Sequence, residues 1–171
     1  MLVGDRGRFG IEYELDAVEP EAPAGPRRMS GHIRWWCGGE SVGHYHLATS
    51  IEDVAVAVGR IAARADGRLH ADLMDLPAAE LVRVVTDALF TDNERTEEQI
   101  DADGRLYWPF FVGPRTESFD PWDVFVVEDQ AAARLIWCRI GHPEVREFRL
   151  RRGEFDDVLR MFLDGLLFHG R

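Results

Sequence analysis

Lysine is absent from the sequence, and cysteine is scarce. All 20 basic residues are arginine, and two cysteines occur among 171 residues. Cys37 and Cys138 each follow a tryptophan in an apolar run, where a free thiol packs as a small hydrophobic group. Two isolated cysteines do not build a disulfide framework, and the sequence has no Cys-x-x-Cys pair that would indicate zinc. We therefore expect no disulfide, no metal site and no cofactor.

Long hydrophobic runs are also absent. No segment approaches the roughly 18 consecutive apolar residues of a membrane-spanning helix, and residues 1–6 lack the basic and apolar regions of a signal peptide. We therefore expect a cytoplasmic protein without a membrane partner. Because 46% of the residues are hydrophobic, the chain can bury a core that offsets the entropy lost on folding. We expect one globular domain over residues 1–171.

Positive charge is in deficit. The chain has 31 acidic and 20 basic residues, which gives a formal net charge of -11. Because nucleic-acid binding depends on clustered cations that contact phosphates, we expect no nucleic-acid partner. An acidic surface attracts a basic protein and raises the encounter rate by about tenfold to a thousandfold. Solubility alone is the other explanation of the charge.

The common catalytic signatures are missing too. The sequence contains no Gly-x-Ser-x-Gly elbow, phosphate-binding loop, His-Glu-x-x-His motif or dinucleotide fingerprint. His44 and His46 would project from one face of a strand, but two imidazoles without a third ligand are more typical of ordinary sheet histidines than of a metal site. Glu12 and Glu14 are spaced for acid and base chemistry, although a cross-strand pair with Arg34 is the simpler interpretation. We expect no catalytic residues.

The hydrophobic periodicity predicts an α+β fold. We expect a mostly antiparallel sheet of about six to seven strands, two helices inserted in the middle of the chain, and one C-terminal helix packed on the sheet. The helices are expected from Ser50 to about Ala65, from about Pro77 to Phe90, and from Glu154 to Phe168. The predicted strands are residues 8–16, 31–37, 40–48, 106–112, 122–127, 133–140 and 145–150.

Gly38-Gly39 predicts a two-residue hairpin turn, because glycine adopts the positive φ that such turns require. This turn would place Trp35 opposite Val42 and, further along, Ile33 opposite His44. Trp35 and Trp36 would then lie on opposite faces of the strand, so that one of them needs a covering element or a binding partner. Residues 17–30 contain three prolines and are expected to form a surface loop.

The segment from Thr91 to Gly104 is rich in acidic residues and is predicted to be an exposed connector. Together with the turn that follows Arg115, it would present negative charge to a basic partner. A loop that contacts only water is the alternative. The candidate partner-binding residues are Glu97, Glu98, Asp101 and Asp103 in the connector, with Glu117 and Asp120 as a second patch.

Three features follow each other in the first third of the chain. They are Gly4-Asp5, the strand Phe9-Gly10-Ile11-Glu12-Tyr13-Glu14-Leu15, and residues 31–53 with an aromatic strand, a glycine turn and a Leu-Ala-Thr-Ser helix start. In this order they resemble immunity protein family 42 of bacterial polymorphic toxin systems. The sequence departs mildly from the family pattern at Cys37, Ala48 and Ile51. The remaining two thirds resemble the family only in their general pattern.

This resemblance implies a cytoplasmic protein that binds a toxin domain made by the same cell lineage and blocks its active site or an adjacent surface without catalysis. Toxins that attack nucleic acid are commonly basic, so a basic nuclease would suit the acidic charge. The resemblance assigns no binding residues. The alternatives are a small enzyme or a ligand-binding module that uses the sheet face with Glu12, Glu14, His44 and His46, and an adjacent toxin gene would argue against the module.

Overall fold

The computed structural model describes residues 1–16, 29–91 and 94–169. The predicted surface loop falls mainly on residues 17–28, which lie outside the described residues. The described ranges contain eight strands and five α-helices. The strands are β1 (Leu2–Gly4), β2 (Phe9–Leu15), β3 (Ser30–Cys37), β4 (Glu40–Val42), β5 (Thr49–Ser50), β6 (Trp122–Glu128), β7 (Ala132–Arg139) and β8 (Val145–Arg151). The helices are α1 (Ile51–Ala62), α2 (Ala71–Met74), α3 (Ala78–Phe90), α4 (Glu97–Tyr107) and α5 (Glu154–His169).

The first sheet contains β1 to β5, all paired antiparallel, with the order β1-β2-β3-β4 and β5 beside β3. The predicted hairpin is confirmed: Trp35 lies opposite Val42, and the turn glycines Gly38 and Gly39 have φ of 57° and 90°. One face of this sheet packs against α1 and α5 and buries residues such as Ile11 and Trp35. Among the described residues, the other face carries half-buried and exposed polar side chains such as Glu12, Glu14 and Arg34, and we call it the open face.

The second sheet is an antiparallel meander of β6, β7 and β8. Its strands confirm the predicted segments at 122–127, 133–140 and 145–150. Strand β6 is buried on both faces, because Val124 and Val126 join the core shared with the first sheet while Phe125 and Val127 pack with α2 and α3. This burial explains why β6 has a continuous apolar run and not the alternation of a half-exposed strand.

The prediction of an α+β fold is confirmed, but the prediction of one sheet is wrong. Hydrophobic periodicity identifies strands, whereas their partners depend on contacts between distant parts of the chain. The layered arrangement, with β6 between two apolar clusters, separates the second sheet from the first.

Three further local predictions are wrong. The strand expected over residues 40–48 ends at Val42, because Gly43 adopts a φ of 102° and turns the chain away from β3. The strand expected over residues 106–112 begins inside α4 and leaves only an isolated bridge between Phe111 and Phe125. The expected connector over residues 91–104 contains most of α4.

A buried ion pair joins distant elements beneath the surface. Arg68 follows α1 in a short 3-10 turn and is fully buried, and its guanidinium donates to the Asp156 carboxylate of α5 at 2.5 Å. The same side chain donates to the carbonyl oxygens of Ile61 and Pro109 at 2.6 and 3.1 Å. Arg68 thereby connects α1, α5 and the segment that follows α4.

Candidate partner-binding surfaces

Helix α4 carries most of the candidate acidic residues. It begins with a capping box, in which the Thr96 hydroxyl accepts from the Gln99 amide and the Gln99 side chain accepts from the Thr96 amide. The Thr96-x-x-Gln99 spacing was the sequence signal for this helix, but the surrounding charge concealed it. The acidic residues are therefore held in fixed positions on a helix and not spread along a loop.

Three carboxylates of α4 face solvent. Glu97, Glu98 and Asp101 are exposed and form no ion pair with any described residue, and we call them the acidic helix surface. Asp103 differs, since it is partly buried and accepts from Arg95 at 2.6 Å. No residue of α4 is buried, and Ile100 is 49% exposed among the carboxylates.

The second candidate patch lies in a separate recess. Glu117 and Asp120 are exposed and line a cavity of about 390 Å³ together with Asp53 of α1, and we call these three residues the acidic recess. Arg115 also lines this cavity, and its guanidinium lies 3.5 Å from the buried Asp123 carboxylate. Burial raises the pKa of Asp123, and the nearby Arg115 partly opposes that rise.

The open face of the first sheet carries a network of polar and aromatic side chains. Arg34 donates to the Glu12 carboxylate at 3.0 Å, which confirms the predicted cross-strand pair, and the Trp36 indole donates to the same carboxylate at 2.7 Å. The Arg34 guanidinium lies over the rings of Trp36 and Tyr45, at 4.6 and 4.5 Å from their centres. Trp35 is fully buried, so Trp36 is the member of this pair that remains partly exposed.

These contacts argue against acid and base chemistry by Glu12. Burial raises the pKa of Glu12, but the hydrogen bonds from Arg34 and Trp36 outweigh that effect and leave the pKa below its usual value. A carboxylate that stays ionised and fully engaged is a poor general acid near neutral pH. His44 and His46 lie beyond the end of β4 with ring centres 5.4 Å apart, so they do not occupy the strand positions predicted for them.

The two thiols are also unsuited to nucleophilic chemistry. Burial raises the pKa of Cys138 to about 11 and raises that of Cys37 further, so neither thiol ionises readily. Within residues 1–16, 29–91 and 94–169, no three His, Cys, Asp or Glu side chains are grouped to hold a metal ion. No helix in the same ranges is long and apolar enough to cross a membrane.

The described residues form an α+β protein of two antiparallel sheets, with exposed acidic and aromatic side chains on its surface. Residues 1–165 match the family described as immunity protein 42, and the chain belongs to this family. The match confirms the family expected from the first third of the sequence and extends it over nearly the whole chain. Membership favours a toxin-neutralising, non-catalytic role.

A solved structure has a similar fold. It is the crystal structure of CdiI from Burkholderia dolosa AUO158, which aligns with a TM-score of 0.71 at 22% sequence identity. The alignment covers 96% of this chain and 99% of that one. Among curated proteins, no match was found. At this identity the likeness shows a shared fold and does not identify a binding surface.

Proposed function

We propose that this protein binds a cognate toxin domain and neutralises it by covering its active site or an adjacent surface, without chemistry of its own. The observation that carries the proposal is the match of residues 1–165 to the immunity protein 42 family. The geometry supports binding over turnover, because Glu12 is engaged in ion pairs and both cysteines are buried.

The acidic helix surface is the part of the molecule we assign to the first contact with the toxin. Its three carboxylates are exposed and unpaired among the described residues, and Ile100 adds apolar area between them. Within α4, Tyr107 packs against the apolar cluster that contains Phe110 and Phe125, but Ile100 is 49% exposed. A partner that covers Ile100 would add apolar contact that this side chain lacks in the free protein.

The toxin that fits this surface is basic, and we propose a nuclease. A nuclease active site is positively charged where it holds phosphates, so carboxylates at fixed helical positions can occupy the same cations. A net charge of -11 on the immunity protein would also steer the two proteins together. Their association rate should therefore fall as salt is added.

The test is to measure association of the purified protein with its cognate toxin domain, using the triple variant E97K/E98K/D101K. We expect the variant to bind at least about tenfold more slowly at low salt, with most of the difference lost at high salt.

The matched control is D72K/D75K/E80K, which reverses three exposed acidic residues on and between α2 and α3. Both variants change the net charge equally and place lysines near helix starts. If the control slows association as much as the α4 variant, the acidic helix surface is not the contact. If the wild-type protein does not bind the toxic domain, the proposed function is wrong.

A further inference from the structure

A pocket next to the acidic recess carries the opposite charge. It lies between the last turn of α1 and residues 108–115 and has a volume of about 170 Å³. Its charged side chains are Arg60, Arg64 and Arg115, and no acidic residue lines it. We call it the arginine pocket. Three arginines thus line this pocket without a carboxylate, although the chain has 31 acidic and 20 basic residues.

Aromatic rings lie against two of the three arginines, Arg64 and Arg115. Trp108 is 38% exposed and forms part of the wall, and the Arg64 guanidinium lies 5.9 Å from its ring centre. Arg115 lies over Phe90 and Phe111 at 4.7 and 4.6 Å. Cation–π contacts of this kind order a guanidinium before a ligand arrives, which reduces the entropy lost on binding.

Arg60 and Arg64 still have capacity to bind an anion, whereas the Arg115 guanidinium already lies 3.5 Å from the Asp123 carboxylate. Arg60 and Arg64 form no ion pair with any carboxylate in the described part of the chain. Arg115 is the one described residue other than glycine with a positive φ, at 51°. Strained backbone of this kind persists where the surrounding structure holds it, and such positions concentrate at binding sites. A planar carboxylate matches the fork of a guanidinium and can accept two hydrogen bonds from it.

We propose that the arginine pocket receives an aspartate or glutamate side chain of the toxin domain. This inference rests on the proposed function and adds the chemistry of one contact to it. A free multivalent anion would be repelled by the net charge of -11 and by the neighbouring acidic recess. A carboxylate carried on a basic protein would not be repelled, because the positive charge of the rest of that protein compensates it.

The position of the pocket would give it a role in orientation. Arg115 lines both the arginine pocket and the acidic recess, so negative and positive sites adjoin on one surface. A partner must present the complementary signs in the same order, and a basic protein without the acidic residue would leave Arg60 and Arg64 facing like charge. Alternating charge of this kind sets register and rejects wrong partners.

The first test uses dissociation kinetics of the toxin complex with R60Q/R64Q. Loss of two positive charges makes the protein more acidic, so association with a basic toxin should be unchanged or faster. Dissociation should accelerate by about tenfold to a hundredfold, because the toxin carboxylate loses its partners. The control is R139Q/R149Q, which removes two exposed arginines of the second sheet. If R60Q/R64Q dissociates from the toxin at the wild-type rate, or if the control dissociates equally fast, the pocket proposal is wrong.

The second test does not depend on the toxin. The probes are a peptide with blocked ends that carries one Glu between two lysines, the same peptide with Gln in place of Glu, and inorganic phosphate. Each is titrated while the Trp108 indole N–H resonance is followed, with W108F for assignment. The Glu peptide should shift this resonance in the wild type and not in R60Q/R64Q, and the Gln peptide should shift it in neither. Absence of that shift, or a shift with phosphate alone, contradicts the proposal.

The two tests separate the two claims. If the wild-type protein binds the Glu peptide but not the toxin domain, the proposed function is wrong and the pocket proposal stands. If the toxin dissociates from the wild type and from R60Q/R64Q at the same rate, the pocket proposal is wrong and the proposed function stands.

Discussion

At the scale of single residues, Glu154 connects the start of α5 to the first sheet. Its carboxylate accepts two hydrogen bonds from Arg8, at 2.6 and 2.8 Å, and one from the Arg151 amide at 2.9 Å. The hydrogen bond from Arg8 is the main reason that the pKa of Glu154 falls from a usual 4.5 to about 2. Because the folded pKa is the lower one, this contribution to stability is complete above pH 4.5 and is lost as the pH falls towards 2.

Substitution of Glu154 by glutamine should remove that pH dependence. We expect E154Q to lower the free energy of unfolding at pH 7 by about 1–2 kcal/mol, a modest value because the Arg8 side chain is 40% exposed and water screens the pair. Urea unfolding between about pH 2 and 5 should show a shallower loss of stability in E154Q than in the wild type. The control D164N changes an exposed carboxylate of the same helix, and an identical acid profile for E154Q and the wild type would contradict the assignment.

At the scale of secondary-structure elements, the Arg68–Asp156 pair holds the end of α1 against α5. The two side chains are 0% and 3% exposed. Removal of one partner from a buried pair leaves the other charge without solvent or counter-ion, and this costs far more than the pair itself contributes.

We therefore expect D156A to destabilise the protein by about 3–5 kcal/mol. The neighbouring substitution D157A removes an exposed carboxylate and should change the unfolding free energy by less than about 0.5 kcal/mol. Denaturant melts of both variants provide the comparison. Equal stability of the two would show that Arg68 finds another partner or reaches solvent.

Helix α4 and helix α1 allow a second comparison between elements. Both have side-chain caps, Thr96 for α4 and Ser50 for α1, but α1 buries residues in the main core while α4 buries none. Loss of the cap should cost about 1 kcal/mol in each helix. In T96A that loss should appear as faster amide exchange confined to residues 97–107, whereas in S50A it should lower global stability.

Amide hydrogen exchange and denaturant melts of T96A and S50A distinguish these outcomes. Global destabilisation by T96A would mean that α4 is integrated into the cooperative core, against the view that it is an exposed element available to a partner.

The elements that the sequence predicts correctly are those whose signals are local. The Gly38-Gly39 turn and the Ser50 cap each depend on residues a few positions apart. The acidic run hid the Thr96 capping box, because charge in α4 is as compatible with a loop as with an exposed helix. The division into two sheets was not predictable, because strand pairing depends on distant segments.

The candidate site was predictable to a similar extent. Composition identified the carboxylates of the acidic helix surface as exposed. The arginine pocket was not predictable, because Arg60, Trp108 and Arg115 come from separate segments that meet only in the fold. Composition does not reveal the positive charge of this pocket either, because the chain as a whole has a negative net charge.

At the scale of the whole molecule, the charge distribution matters more than its sum. The net charge of -11 can attract any basic protein, and attraction alone does not select a partner. In the proposed complex, the adjoining acidic recess and arginine pocket would add orientation to this attraction. Long-range steering would then act together with a surface whose alternating signs accept one orientation.

The central claim is that the protein neutralises a toxin, and survival of cells tests it most directly. The cognate toxin domain is induced in cells that carry either this protein, the variant E97K/E98K/D101K or an empty vector. The account predicts growth with the wild-type protein, reduced protection by the variant and death with the empty vector. Death of cells that express the wild-type protein at normal levels would contradict the account.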